Sequence, residues 1–197
     1  MLFETPRLLV RPLLDSDYLA LHKIYSKPAV MCYIGNLKPY SPEQTQKALT
    51  DAHDSYRLHG FGPWAIIYKK RGHLIGVGGL EVLPCRELPE LSYIFAPDCW
   101  GHGLATEFAK AAIDYSFQKL GLSKIGASFD PENKASMRVA EKVGMRYIKE
   151  GLDEYSLPTI FYALCEHNPG QTDDDSLKAD LAANEIITFG QKTRHPS

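Results

Sequence analysis

Short apolar runs and longer helical repeats alternate along this chain of 197 residues. The short runs predict strands over residues 8–11, 64–68, 74–80, 90–95, 124–129, 145–149 and 159–165. Apolar positions at helical spacing predict helices from Asp15 to a break at Lys27-Pro28, and over about 42–58, 103–120 and 133–143. The pattern therefore indicates a mixed fold in which strands outnumber helices.

Local start and stop signals support the predicted boundaries. Ser41 and Gln44 have the spacing of a capping box, with Pro42 at the first helical position. Gly60, Gly121 and Gly144 stand where a glycine commonly ends a helix. Residues 69–72 separate two apolar runs and predict the turn of an antiparallel hairpin.

The composition fits one globular domain followed by a polar segment. Hydrophobic residues make up 44% of the chain and charged residues 23%, which suffices for a single core. After Glu166 the chain becomes rich in Asp, Asn, Pro and Gly, as linkers are. We expect a domain over residues 1–166 and a tail over 167–197 that is flexible or weakly helical.

Charge and cysteine usage exclude several classes of function. A net charge of −2 provides no broad positive field for a nucleic acid backbone. The four cysteines show no CxxC pair or finger-like spacing to histidine, so we expect reduced, mostly buried thiols and no metal site. No apolar run approaches the roughly 18 residues that span a bilayer, and no signal peptide opens the chain. We expect a cytoplasmic protein without a membrane partner.

A glycine-containing loop, Trp100-Gly101-His102-Gly103, lies between a predicted strand and a predicted helix. The first N–H groups of a helix have no intrahelical acceptor, and the helix dipole is positive there. Such an end binds a pyrophosphate, and glycines let the backbone approach the anion closely. A plain tight turn is one alternative. A Rossmann loop is another, but it requires a third glycine where this chain has Thr106.

Residues 94–107, which read Ile-Phe-Ala-Pro-Asp-Cys-Trp-Gly-His-Gly-Leu-Ala-Thr-Glu, resemble the acetyl-CoA motif of the GNAT superfamily of N-acetyltransferases. The form of this motif is similar to that of the RimJ/RimL branch, which acetylates ribosomal protein N-termini. Asn133 and Ser136, followed by Glu-Lys-Val-Gly-Met at 141–145, match a second signature of that branch. The opening Glu-Thr-Pro-Arg-Leu at 4–8 also matches, so the resemblance covers residues 3–165.

The resemblance implies an α/β (α+β) GNAT fold. This is a twisted, mixed, mostly antiparallel sheet with a splayed central strand pair, flanked by about four helices. Acetyl-CoA would enter between the strands at 90–95 and 124–129. The residues implied to contact it are Phe95, Gly101, His102, Gly103, Leu104, Ala105, Asn133 and Ser136. Asp98 stands where the general family pattern has Gln or Arg, so the loop lacks a cation there.

Transfer of acetyl to an amine requires a base for the amine and an acid for the thiolate. Glu90 aligns with the glutamate before the family's central strand and is the candidate base; the alternative is a solvated charge, and Glu87 is a weaker substitute. Many family members place a tyrosine acid where this chain has Ala140, so Ser136 is the residue implied to stabilise the thiolate; the alternative is that its hydroxyl only hydrogen-bonds the helix backbone. A backbone N–H near Phe95 would bind the oxyanion. His102 is expected to point outward.

The acceptor is the least determined part of the prediction. Protein N-termini and small amines or amino acids both fit, in a monomer or a homodimer. An acidic rim from Glu87, Glu90, Asp153 and Glu154 favours a cationic acceptor, and several aromatics are candidate groove residues, with the core as the alternative: Tyr33, Tyr40, Phe61, Trp64 and Tyr155. Two rival functions stay open, a non-catalytic acyl-CoA-binding module and a nucleotide-phosphate binder.

Overall fold

The computed structural model describes residues 1–83 and 88–166. The strands are β1 (Phe3–Glu4), β2 (Leu8–Pro12), β3 (Pro63–Tyr68), β4 (His73–Glu81), β5 (Glu90–Phe95), β6 (Lys124–Phe129), β7 (Arg146–Leu152) and β8 (Pro158–Cys165). The helices are α1 (Tyr18–Tyr25), α2 (Pro28–Met31), α3 (Pro42–His59), α4 (Leu104–Gln118) and α5 (Lys134–Lys142). The predicted tail, Cys85 and Glu87 lie outside the described residues.

One sheet joins all eight of these strands in the order β1-β2-β3-β4-β5-β6-β8-β7. Every neighbouring pair is antiparallel except β5 and β6, which run parallel. The sheet is therefore mixed and mostly antiparallel, as the resemblance implied. The parallel pair lies in the middle of the sheet, where the two antiparallel halves meet.

Helices cover both faces of the sheet. Because side chains alternate between the two faces along each strand, a single strand contributes residues to two cores. On one face, α4 and α5 pack over a core that contains Trp64, Ile66 and Phe108. On the other face, α1, α2 and α3 pack over Ala65 and Val77. Adjacent residues of β3 therefore belong to opposite cores, which anchors the sheet between the two helix layers.

Several predicted boundaries shift in the structure. The segment that begins at Asp15 first forms a 3-10 turn, and α1 starts only at Tyr18. The buried side chain of Asp17 pairs with Arg11 at 2.6 Å and makes no capping hydrogen bond to the helix. Leu19 on this helix is 77% exposed although it is apolar. The break at Lys27-Pro28 is followed at once by the short helix α2, with Pro28 at a permitted first position. Strand β1 was not predicted.

The expectation of mostly buried thiols was wrong for the cysteines in the described part of the chain. Cys32 is exposed, while Cys99 and Cys165 are half-buried. Within residues 1–83 and 88–166, no three side chains of the metal-binding types cluster. Across the same residues, none of the helices combines the length and apolarity that crossing a membrane requires.

Candidate active site

The parallel strands β5 and β6 separate after one point of contact. Glu90 pairs with Gly126, and the Gly126 N–H donates to the Pro89 carbonyl at 2.9 Å. Beyond this point no further pairing between β5 and β6 is present in the described structure. The sheet therefore opens into a gap that widens toward Phe95 and Phe129, the carboxyl ends of the two strands.

The backbone of β5 presents hydrogen-bonding groups to this gap. The Ala96 N–H donates to the Ile75 carbonyl on β4 at 2.8 Å. Because successive residues of a strand direct their polar groups to opposite edges, those of Tyr93 and Phe95 face the gap. The Phe95 carbonyl accepts the Trp100 indole N–H at 2.8 Å, which ties the following loop to the end of β5.

The glycine loop follows directly and begins α4. A 3-10 turn over Pro97–Cys99 leads to Gly101 at φ 76° and Gly103 at φ 74°, left-handed conformations that favour glycine. A side chain at Gly101 would meet nothing within 4 Å, so the loop is open on that side. Leu104 and Ala105 form the first turn, with Leu104 buried. The positive end of α4 thus faces outward beside the gap.

The opening segment of the chain holds this loop in place. Glu107, in the first turn of α4, accepts hydrogen bonds from the Thr5 hydroxyl, the Arg7 N–H and the Arg7 Nε. Burial opposes ionisation of Glu107, but these hydrogen bonds outweigh it and lower the pKa. Arg7 also donates to the His102 carbonyl at 2.8 Å. These contacts join the motif at 4–8 to the motif at 94–107, although about 100 residues separate the two.

The first turn of α5 lies on the opposite side of the gap. The Asn133 side chain accepts the Ser136 N–H at 3.2 Å and so caps the helix. The Tyr93 hydroxyl donates to the Ser136 carbonyl at 3.3 Å. Burial raises the pKa of Tyr93 to about 12, and the hydrogen bond to Ser136 partly opposes the shift. Ala140 is only 2% exposed and belongs to the core. A tyrosine from β5 therefore reaches α5, which the sequence analysis missed.

A cavity of about 560 Å³ adjoins the gap and contains the candidate base. Glu90 is 7% exposed and accepts the Ser128 hydroxyl at 2.6 Å. Ser136 and Asn133 line the same cavity. The structure therefore brings Glu90, Ser136 and Asn133 to one place. Glu87 lies outside the described residues.

A second glutamate, which the sequence analysis overlooked, lies beside Glu90. Glu81 is directly opposite Glu90 on the neighbouring strand β4 and lines the cavity. Burial raises the pKa of Glu81, a hydrogen bond from Ser92 opposes the shift, and the charges of Glu90 and Glu154 raise it further. The alternation of side chains along β4 could have indicated which face of the sheet Glu81 occupies. Its position opposite Glu90, however, depends on the register between β4 and β5.

The cavity wall is acidic and aromatic. Six acidic residues line it, and none of its described lining residues is lysine, arginine or histidine: Asp51, Glu81, Glu90, Asp130, Asp153 and Glu154. Asp51 is paired with Lys47 at the surface. Of the candidate groove aromatics, Tyr33, Tyr40 and Tyr155 line the cavity. Trp64 and Phe61 instead belong to the core, with Trp64 fully buried.

A smaller pocket of about 220 Å³ lies on the outer side of the glycine loop. Its lining includes three cationic residues, Arg7, Lys70 and Arg71. His102 and Asp98 line it as well. Lys70 and Arg71 come from the turn between β3 and β4. The His102 side chain is exposed, as expected from the sequence, and borders this pocket.

Comparison with known proteins agrees with this arrangement. The family profile described as acetyltransferase (GNAT) domain matches residues 7–146. The chain is 32% identical to the uncharacterized N-acetyltransferase YoaA of Bacillus subtilis, over 77% of this chain and 85% of that protein. It is 28% identical to spermidine N(1)-acetyltransferase of Escherichia coli K12, over 74% and 76%. The crystal structure of a GNAT-family acetyltransferase from Bacillus anthracis superimposes with a TM-score of 0.69, at 28% identity, over 82% of this chain and 96% of that one.

Proposed function

Because the chain belongs to the GNAT family and is an N-acetyltransferase, we propose that it transfers acetyl directly from acetyl-CoA to a primary amine. The observation that supports direct transfer most strongly is the open gap between β5 and β6, which has the glycine loop at one end and Glu90 in the adjoining cavity. The motifs at 100–107 and 133–145 favour the RimJ/RimL branch within the family. No metal is needed for this chemistry.

The residues beside the gap fit the donor. The backbone N–H groups of residues 101–105 are positioned to bind the pyrophosphate, since the loop is open and α4 begins there. The edge of β5 at Phe95 offers hydrogen bonds to the pantetheine arm, and Asn133 and Ser136 border the arm on the other side. Acetyl-CoA supplies an acetyl group activated as a thioester.

Glu90 is proposed to accept the proton that the amine loses as its nitrogen bonds to the acetyl carbon. Glu90 is buried at the wall of the cavity. The proton can therefore reach it either directly or through one bridging water. The Phe95 N–H, which faces the gap, stabilises the negative charge on the carbonyl oxygen. The Ser136 hydroxyl stabilises the CoA thiolate by a hydrogen bond once the bond between sulfur and the acetyl carbon breaks, and solvent supplies the proton that makes the free thiol. Tyr93 holds the first turn of α5 at this place through its hydrogen bond to the Ser136 carbonyl.

For the acceptor, the acidic and aromatic cavity favours a small cationic amine. Carboxylates attract an ammonium group, and tyrosine rings bind cations through their faces. The relative from Escherichia coli that is named for spermidine acetylation has an acceptor of this chemical class. A protein N-terminus would have to enter the same cavity with its first residues extended.

A screen of acceptors tests the proposal. The full chain is incubated with acetyl-CoA and one amine at a time, and free CoA is measured; the panel contains mono-, di- and polyamines, amino acids and short peptides. We expect CoA release with amines that carry a second positive charge. Release only with peptides would identify a protein N-terminus as acceptor. CoA binding without release for any amine would favour the non-catalytic module, and stabilisation by ATP or NAD but not CoA would favour a nucleotide binder.

Replacement of Glu90 tests its role as the base. Glu90→Gln keeps the shape and the acceptor atom for Ser128 but removes the basic carboxylate, so kcat should fall about 100-fold, with loss of the acidic limb of its pH profile. Affinity for acetyl-CoA, measured by calorimetry, should stay unchanged. Glu132→Gln, at an exposed position after β6, is the matched control. Equal kcat and pH profiles in the two variants would contradict a catalytic role for Glu90.

A further inference from the structure

The cationic pocket on the outer side of the glycine loop shares His102 and Leu104 with the pyrophosphate segment, but its positive charge comes from residues to which no role in donor binding has been assigned above. It is bounded by the turn between β3 and β4 on one side and by Asp98, Cys99 and His102 on the other. We propose that this pocket binds the 3′-phosphate of CoA, with Arg71 and Lys70 providing the positive charge. The inference rests on the proposed donor, and it adds a second anion site to the pyrophosphate site at the start of α4.

Within the turn, the three consecutive cations have different partners. Lys69 donates to the Thr5 carbonyl at 2.6 Å and pairs with Glu4 at 2.9 Å, so it fastens β1. Lys70 and Arg71 instead line the pocket, and both are exposed. The turn itself is fixed, because the Arg71 and Gly72 N–H groups both donate to the Tyr68 carbonyl. The backbone therefore positions these two charges beside the loop.

Arg7 has a structural role at the same pocket. Its guanidinium pairs with Glu107 at 2.6 Å and donates to the His102 carbonyl. Arg7 adds positive charge to the pocket, but its removal would also release the loop. Arg71 and Lys70 are the residues whose loss isolates the electrostatic contribution.

Arg71 lies close to Asp98 and Cys99. Burial raises the pKa of the Cys99 thiol, the charge of Asp98 raises it further, and the charge of Arg71 opposes the shift. Arg71 thus lines the same pocket as Asp98, the residue that stands where the general family pattern has Gln or Arg. The cation that the loop lacks at 98 is supplied from the β3–β4 turn, while Asp98 repels a phosphate and weakens the site.

The two anionic groups of CoA suit these two surfaces differently. Backbone N–H groups at a helix start bind a pyrophosphate at close range. A terminal phosphate carries nearly two negative charges and three acceptor oxygens, which an arginine binds with paired hydrogen bonds. Because Arg71 and Lys70 are exposed and screened by solvent, we expect a modest gain of about tenfold in affinity.

Calorimetry with CoA and 3′-dephospho-CoA tests the proposal without relying on turnover. The unaltered protein should bind CoA about tenfold more tightly than 3′-dephospho-CoA. Arg71→Gln should weaken CoA binding about tenfold and leave 3′-dephospho-CoA binding unchanged. Asp98→Asn should strengthen CoA binding selectively. Lys110→Gln removes an exposed charge elsewhere on α4 and should change neither affinity.

Two results would overturn the 3′-phosphate site while leaving the proposed function intact. The first is equal affinity of the unaltered protein for CoA and 3′-dephospho-CoA. The second is an equal loss of both affinities in Arg71→Gln, which would assign Arg71 to the pyrophosphate or to the loop. Absence of binding for both ligands would instead refute the donor, and the 3′-phosphate site with it.

Discussion

Glu81 and Glu90 illustrate how much the site depends on single residues. They lie opposite each other on β4 and β5, where like charges repel and destabilise a sheet. The charges of Glu90 and Glu154 add to burial in raising the pKa of Glu81. An unfavourable pair at this position is consistent with a cavity that binds a cation, because the cation relieves the repulsion.

Glu81→Gln should therefore separate stability from acceptor binding. A carboxyl whose pKa is raised in the folded state stabilises the fold below its unfolded pKa, and this contribution is lost as pH rises through the folded pKa. The variant should melt at a higher temperature than the unaltered protein at pH 8 and show no such gain near pH 4. Its KM for a diamine should rise about tenfold, or about 1.4 kcal/mol. A lower melting temperature at pH 8 would contradict this account.

Among the elements, β4 determines how closely α4 approaches the sheet. A Cβ at Gly78 would lie 2.8 Å from Phe108 and 2.7 Å from the Ser92 carbonyl. Phe108 is fully buried, and its ring centroid lies 6.4 Å from that of Tyr93 and 6.2 Å from that of Phe95. The glycine in β4 thus lets α4 pack tightly, and this packing places the glycine loop at the end of β5.

Gly78→Ala should destabilise the fold by about 1–3 kcal/mol, because the added methyl group collides with backbone and a buried ring. Urea denaturation measures the change in the free energy of unfolding. Gly126→Ala is the comparison within the same sheet, since its nearest neighbour would be the Glu90 side chain at 3.3 Å. If both variants lost equal stability, close packing of α4 against β4 would not be the cause.

At the scale of the whole domain, acidic and cationic side chains line two different surfaces. The acidic cavity contains Glu81, Glu90 and Glu154, and the pocket outside the glycine loop contains Arg7, Lys70 and Arg71. An anionic donor and a cationic acceptor can therefore approach from different sides and meet at the gap between β5 and β6. The net charge of −2 gives no indication that acidic and basic residues are concentrated on different surfaces.

Ionic strength should affect the two kinds of acceptor differently. Between about 50 and 500 mM salt, the screening length shortens from about 14 to about 4 Å, which weakens attraction between separated charges. The KM for 1,4-diaminobutane should rise several-fold, while the KM for 1-aminobutane, which has a single charge, should rise less. Steady-state kinetics with saturating acetyl-CoA measures both constants. Parallel increases would show that the second charge does not interact with the cavity.

The sequence by itself determined the features that depend on local structure. The capping box at Ser41 and Gln44 and the glycine loop before α4 both follow from residues a few positions apart, and the structure has each of them. The fold class followed from motifs with the same local character. These elements form because hydrogen bonds and dihedral preferences act within one turn of chain.

Only the tertiary structure decided which distant residues meet. Register between β4 and β5 placed Glu81 beside Glu90, docking of the first strand joined Arg7 to Glu107, and helix packing brought Tyr93 to Ser136. Burial also separated Trp64, which belongs to the core, from Tyr40, which lines the cavity. Periodicity reports which face a residue occupies, but a contact depends on pairing, twist and packing across the whole sheet.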